Sequence, residues 1–265
     1  MNQALALRET YSKDDVVAYY AKYDELQKPE ESILRHLGPG LWAMRMLDVG
    51  VGGGRITKHF APRVREYHGI DLSPRMVELC RDRFAGSIPP ERFAVRDMRE
   101  LDVYPARAFD LIFISYNTLD HLSPQERAAF LAAARRAIDP GGYLCFSSHN
   151  IACLARWISL GHWLGGNFWR HPRSGLRRLR QRARLLQLNR EALAQQTSAD
   201  CVVITNGTHD DFEMRSCYVR TEAQVRALNE AGFRSVRVYS LDTGAELRGA
   251  EIARAADRWL YYLAS

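Results

Sequence analysis

The sequence predicts an α/β fold: a doubly wound, mostly parallel sheet with a helical and hairpin insertion after its fifth strand. Three observations predict it. Apolar, strand-like runs alternate with helix-like stretches from about residue 44 to 148, the order that gives a parallel sheet flanked by helices. The run from Phe109 to Ser115 is apolar without a break after Asp110, as a central strand covered on both faces must be. Glycines crowd the first strand–helix junction, Leu47-Asp48-Val49-Gly50-Val51-Gly52-Gly53-Gly54-Arg55. Lacking a Cβ, they permit positive φ and let a ligand approach the backbone. The N–H groups opening the next helix then receive an anionic or polar ligand. An empty strand–helix turn uses the same residues, so the glycines alone do not decide.

In chain order, residues 1–12 read as a loose arm. Asp14 to Leu26 reads as a helix with Asp14 as its cap, and Tyr19, Tyr20 and Tyr23 cluster on it. Pro29 opens a second helix that Gly38-Pro39-Gly40 ends. Residues 44–49 form the first strand, 54–64 a helix and 66–70 the second strand, which runs into Asp71. Ser73 caps a helix over 74–84 with Pro74 at its first position. The third strand is 92–96 and the fourth 109–115. Ser123-Pro124 opens a helix to Ile138, and Pro140-Gly141-Gly142 turns into a fifth strand, 143–148. After Asn150 the alternation stops. Cys201–Thr205 and Phe212–Val219 read as a hairpin, 222–231 as a helix capped by Thr221, and 234–240 and 258–264 as closing strands. The chain thus divides into N-terminal helices (1–40), a core (41–150), a cap (151–219) and the C-terminal part of the core sheet (220–265).

Composition narrows the function classes. The chain has 265 residues and a 46% hydrophobic share, enough for a sizeable core. The five cysteines are scattered without a CxxC pair, which reads as free thiols in a reducing, cytoplasmic setting and not as a zinc site. The first fifteen residues are mixed and polar, unlike a signal peptide. The least polar window, 151–169, is broken by Arg156, His162 and glycines, so no membrane span is expected. The net charge is +6, yet residues 151–190 hold nine arginines and no acid; the excess is local. Leu176, Leu179, Ala183 and Leu186 fall on one helical stripe with arginines around them. That pattern fits a solvated lid helix, a patch for an anionic substrate, or a nucleic-acid surface. The missing interleaved aromatics argue against single-stranded nucleic acid.

The motifs carry the chemistry. Asp71 follows Gly52 by 19 residues, near the spacing at which an acid bonds ribose hydroxyls. The set Asp48-x-Gly50-x-Gly52-x-Gly54, Gly69-Ile70-Asp71-Leu72-Ser73 and Arg96-Asp97-Met98 resembles the class I, Rossmann-like S-adenosylmethionine (SAM)-dependent methyltransferases over about residues 40–150. The resemblance implies a seven-stranded sheet ending in an antiparallel hairpin, and SAM as cofactor. It places Gly50 and Gly52 against the methionine and ribose portions and Asp71 on the ribose hydroxyls. Leu72 and Met76 then pack beside the adenine, with Asp97 on the adenine amine and the Met98 backbone alongside. Ser115 ends the fourth strand at the same edge. A tyrosine of the N-terminal helix, Tyr23 among them, covers the cofactor or merely docks the helix. Arg55 either pairs with the cofactor carboxylate or faces solvent.

Methyl transfer is an in-line displacement on a sulfonium carbon, in which alignment supplies ~7–11 kcal/mol. Aromatic faces stabilise the sulfonium, and a base is needed only for a nucleophile that holds its proton. Candidates for this half of the site are Tyr116, Asn117, Asp120 and His121 after the fourth strand, His149 and Asn150 after the fifth, and His209, Asp210 and Tyr218 from the cap. His121 and His149 are each a general base or a structural histidine. No Asn-Pro-Pro-Tyr-type motif follows the fourth strand, which argues against methylation of nucleic-acid amines. Asp120 is the lone carboxylate close behind the fourth and fifth strands, so no metal is expected. The leading expectation is methylation of a small molecule in a lid-enclosed pocket. The alternatives are intramolecular cyclisation of SAM to azetidine-2-carboxylate with release of methylthioadenosine, and an RNA-binding or RNA-modifying protein using the arginine helix.

Overall fold

The computed structural model describes residues 3–159, 172–206 and 214–265, and of residues 157, 172–178 and 206 the backbone alone. His209, Asp210, Trp163 and Trp169, and the side chain of Trp157, lie outside the described residues.

Five parallel strands form the centre: β1 (Arg45–Val49), β2 (Glu66–Asp71), β3 (Phe93–Val95), β4 (Phe109–Ile114) and β5 (Ile138–Asn150). Their spatial order is β3-β2-β1-β4-β5. The strand order therefore reverses between β1 and β4, where open α/β sheets bind ligands. Beyond β5 the sheet turns antiparallel through β10 (Trp259–Ala264), β8 (Val236–Ser240) and β9 (Glu246–Leu247). All the strand positions near the middle of β4 are fully buried, as the unbroken apolar run requires.

The described sheet has ten strands, not seven. The two-residue β9 adds one, and the cap hairpin adds two. β6 (Cys201–Asn206) pairs antiparallel with β7 (Met214–Val219), and β7 lies parallel to the end of β5 through His149↔Tyr218 and Asn150↔Val219. The hairpin is thus an extension of the core sheet. The extra length of β5 allows this: it runs to Asn150, past the point where β4 stops at Ile114 opposite Phe146.

The N-terminus also differs from expectation. Residues 3–11 form helix α1 (Gln3–Tyr11), anchored by buried Leu7. Gln3 Nε2 donates to the carbonyls of His121 (2.9 Å) and Arg215 (3.0 Å). Helix α2 is shorter than predicted (Asp14–Ala21), and Lys13, without a capping side chain, holds the cap position. Helix α3 (Lys28–Leu37) starts with a capping box between Gln27 and Glu30. After β1 come α4 (Arg55–Phe60), then α5 (Pro74–Arg83), where Ser73 caps as expected by accepting from Met76 N, and α6 (Pro124–Ala137). The arginine-rich helix spans Pro172–Leu188. Among the described residues, no helix is long and apolar enough to cross a membrane.

Candidate cofactor and acceptor site

Strand register assembles the site. Val49 pairs with Ile70 on one side and Ile114 on the other, and Asp71 pairs with Val95. Gly50, Asp71, Arg96 and Ser115 therefore leave the sheet at one edge. They line a cavity of ≈ 260 Å³, with Leu72, Met76 and Met98 on its wall. The glycine turn is shaped for a close neighbour. Gly50 and Gly52 have φ of +77° and +51°, which L side chains rarely adopt. Gly53 is required by packing instead: a Cβ there would lie 2.2 Å from the Tyr20 carbonyl oxygen.

Asp71 accepts from Gly52 N (3.0 Å) and Ser73 N (2.8 Å). Burial pushes its carboxyl above the usual carboxylate range against the pull of these backbone N–H groups. With the Leu72 N–H also on the carboxylate, at least one lone pair remains for a further donor. Asp48, on β1 just before the turn, takes the Tyr67 hydroxyl at 2.8 Å, and burial pushes it up to about 7. Asp97 caps the turn after β3 and is held by Arg99, whose Nη2 lies 2.5 Å from its Oδ2. Its expected role toward an adenine amine is thus shared with an ion pair.

Two expectations need correction. Arg55 does not face solvent. It is buried and forms a two-point ion pair with fully buried Glu30, Nη2 reaching Oε1 at 2.8 Å and Nη1 reaching Oε2. Its guanidinium also lies 4.8 Å from the centroid of the Tyr116 ring. And of the N-terminal tyrosines Tyr20, more than Tyr23, covers the glycine turn: it is the residue against Gly52 and Gly53. Tyr23 lines the cavity while 39% exposed, its hydroxyl 2.8 Å from that of Tyr19. The supposed loose arm closes the same cavity with Gln3, Leu7 and Tyr11.

The two histidines part company. His121 lines the cavity under α1, its Nε2 3.4 Å from the Tyr11 hydroxyl, and burial depresses its basicity. These contacts make it a docking residue for α1. His149 lies beyond the cavity wall, between β7 and β10 by register, opposite Tyr218 and Trp259. Its ring stacks on Tyr218 at 4.5 Å and meets Trp259 edge-on at 6.0 Å. Its Nδ1 is 2.8 Å from Oδ2 of buried Asp120.

Asp120 accepts four hydrogen bonds: from Arg127 Nη1 (2.6 Å) and Ser148 Oγ (2.6 Å) at Oδ1, and from His149 N (2.6 Å) and Nδ1 (2.8 Å) at Oδ2. Burial works against its charge, yet Arg127 beside it and these bonds hold its carboxyl below the usual range. Asp120 is committed to orienting an imidazole. Among the described residues, no group of three His, Cys, Asp or Glu is placed to hold a metal.

Asn117 joins the two halves. Tyr116 lines the cavity, and Asn117 follows it; both are left-handed, at φ of 53° and 59°. Asn117 N donates to Ser147 Oγ at 2.7 Å, and its Nδ2 lies 3.3 Å from His149 Nε2. Strained, non-glycine backbone of this kind gathers at functional sites. Asn117, His149 and Tyr218 thus form one cluster next to the cofactor cavity. Sequence reasoning missed Glu30, Arg127, Gln224 and Trp259. Glu30 had a signal in the Gln27-x-x-Glu30 spacing. Arg127, which also reaches Gln224 Oε1 at 2.5 Å, had none.

The cavity suits SAM on chemical grounds. Positive-φ glycines open the backbone, Asp71 offers acceptors for a diol, and Leu72, Met76 and Met98 offer an apolar wall for a purine. Comparisons with known proteins point the same way. Residues 46–142 match the family model described as a methyltransferase domain. The Bacillus subtilis methyltransferase-like protein YqeM is 29% identical over 137 residues, 51% of this chain and 52% of its own. The carboxy-S-adenosyl-L-methionine synthase of Chromohalobacter salexigens is 33% identical over 119 residues, 43% of this chain and 42% of its own. The chain therefore spans about half the length, or less, of these curated relatives. An S-adenosylmethionine-dependent methyltransferase from Clostridium acetobutylicum superposes with a TM-score of 0.60 at 14% identity, covering 100% of this chain and 99% of that one. That similarity shows a shared fold. Residues 46–142 thus match a methyltransferase domain, and the chain shares its fold with an S-adenosylmethionine-dependent methyltransferase.

Proposed function

We propose that this chain transfers the methyl group of SAM to a small molecule, with His149 as general base. The observation that carries the reading is the Asp120–His149 pair, set beside the cofactor cavity through Tyr116 and Asn117. Bound SAM supplies an electrophilic methyl group. The protein supplies position, dryness and a proton acceptor. Asp71 and the glycine turn hold the cofactor, and Tyr11 and Tyr20 with α1 keep water out. Because Asp120 is an acceptor only, His149 carries its proton on Nδ1, and its Nε2 lone pair, which faces Asn117 Nδ2 at 3.3 Å, is the end that takes a proton. Asp120, its charge balanced by Arg127, then steadies the imidazolium formed when Nε2 takes a proton.

Coverage of the cavity by α1, tied down through Gln3, supports a small acceptor over a polymer. The reading of residues 151–219 as a lid belongs to this proposal. The test is incubation with SAM, with and without a small-metabolite fraction. S-adenosylhomocysteine that forms only when the fraction is present supports the reading; methylthioadenosine formed from SAM alone refutes it. The variant His149→Gln should lose about 10²–10⁴-fold in rate with SAM affinity unchanged.

A further inference from the structure

We propose that the arginine-rich helix, Pro172–Leu188, seats the protein on the anionic phospholipid surface of a bilayer, lying along the interface without crossing it. The proposal stands apart from the methyl-transfer reading. It starts from the face of the helix that packs. Leu185 and Asn189 are 2% and 3% exposed. Asn189 Nδ2 donates to the Thr205 carbonyl at 3.0 Å, and Thr205 N donates to Asn189 Oδ1 at 2.7 Å. Arg182 Nε donates to the Ile158 carbonyl at 3.0 Å. Positions 182, 185 and 189 share one side of a helix, and this side holds it to the body of the protein.

The leucine stripe of the sequence is a different face. Leu179, Ala183 and Leu186 lie about 100° round the helix from the anchoring side, by the rotation of 3.6 residues per turn. Ala183 is exposed, and Leu179 and Leu186 are half-buried. Farther round, Arg180 and Arg184 are exposed, as is Arg190 just past the helix end. Residues 151–190 hold nine arginines and no acid, so the segment does not neutralise its own charge. A small anionic substrate would call for such arginines at the cavity, yet no described residue of the helix lines it. RNA would take the arginines through its phosphates but gives aliphatic side chains turned off the core no apolar surroundings. An anionic bilayer uses both features. Its headgroups attract the arginines, and the acyl boundary beneath receives the leucine stripe, as it does for amphipathic helices that lie in the interface. Arginine stems reach along that boundary while their heads stay in water. Among the described residues no helix is long and apolar enough to cross a membrane, so the contact is peripheral.

The experiment sediments the full-length protein with vesicles of phosphatidylcholine alone, or of phosphatidylcholine and phosphatidylglycerol in equal parts, at physiological salt. Binding to the anionic vesicles and not to the neutral ones is expected. The variant Arg180→Gln/Arg184→Gln/Arg190→Gln should lower the partition coefficient about a hundredfold, about fivefold per arginine. A control that removes the same charge at exposed positions elsewhere, Arg35→Gln/Arg234→Gln/Arg248→Gln, should change it by less than about threefold, since separated surface charges are screened. Leu179→Gln/Ala183→Gln keeps every charge and should still lower it about tenfold. Equal binding to both vesicle types, or to neither, overturns the proposal. So does a control variant that falls as far as the helix variant, because overall charge then does the binding. An unchanged Leu179→Gln/Ala183→Gln also overturns it, because the stripe then stays out of the interface. An RNA oligonucleotide titrated in parallel gives the other occupant: RNA bound without any anionic-vesicle binding assigns the surface to nucleic acid. The two vesicle types with wild-type protein decide the matter even if a variant does not fold, and no readout depends on methyl transfer.

Discussion

Glu30 is the strongest single test of how the floor of this site is built. It is fully buried, and Arg55 beside it is 6% exposed. Besides the Arg55 pair, Glu30 takes the Gln27 backbone N–H at 2.7 Å and the Tyr261 hydroxyl at 2.5 Å. Glu30→Ala leaves a guanidinium in the interior without its counter-charge. Breaking a buried pair from one side costs about 3–5 kcal/mol, a large part of the ~5–15 kcal/mol that holds a typical domain. At about 2–4 °C per kcal/mol for a chain near this size, Tm should fall by about 6–20 °C. Removing both charges is different, because two apolar groups of similar volume leave no buried charge without its counter-charge. Glu30→Leu with Arg55→Met should recover most of the loss. Urea unfolding of wild type, Glu30→Leu, Arg55→Met and the double closes a thermodynamic cycle. A Glu30→Ala loss below about 1 kcal/mol, or a double variant as unstable as the sum of the singles, refutes the argument. It would also free Arg55 for the cofactor carboxylate.

Three further outcomes are expected. Asp71→Asn should weaken SAM binding by about 1.5–3 kcal/mol, the worth of a hydrogen bond to a charged group; unchanged affinity by calorimetry removes the ribose assignment. Asp48 rises from the usual 3.8 to about 7 on folding, so between those values the folded chain holds a proton the unfolded chain has released. Stability must then fall as pH rises through that window, by about 4 kcal/mol in all. Unfolding free energies across the window should show this slope in wild type and lose it in Asp48→Asn; equal slopes in both contradict the assignment. Gly53→Ala drives a Cβ to 2.2 Å from the Tyr20 carbonyl, so α2 must shift. A destabilisation of about 1–3 kcal/mol with weaker SAM binding is expected, and wild-type stability and affinity would show that α2 does not cover the turn.

What the sequence alone determined is local. The apolar run 109–114 specified a central strand, Ser73-Pro74 a helix start, and the Gly50–Gly54 turn with Asp71 one wall of the cavity, because each depends on residues near one another in the chain. The strands β1–β5 and helices α3–α6 follow that local patterning. Tertiary structure decided the rest. Residues 3–11 carry weak patterning and become a helix only because Leu7 and Gln3 find partners across the site. Arg55 sits at a position that looks solvent-facing in sequence, and burial against Glu30, 25 residues away, sets its role. The two histidines looked alike until the sheet register set His149 against Tyr218 and Trp259 and brought Asp120 to its Nδ1. Arg127, Gln224 and Trp259 gave no sign, since their function is to complete contacts with residues distant in sequence, and only the packed sheet defines those distances.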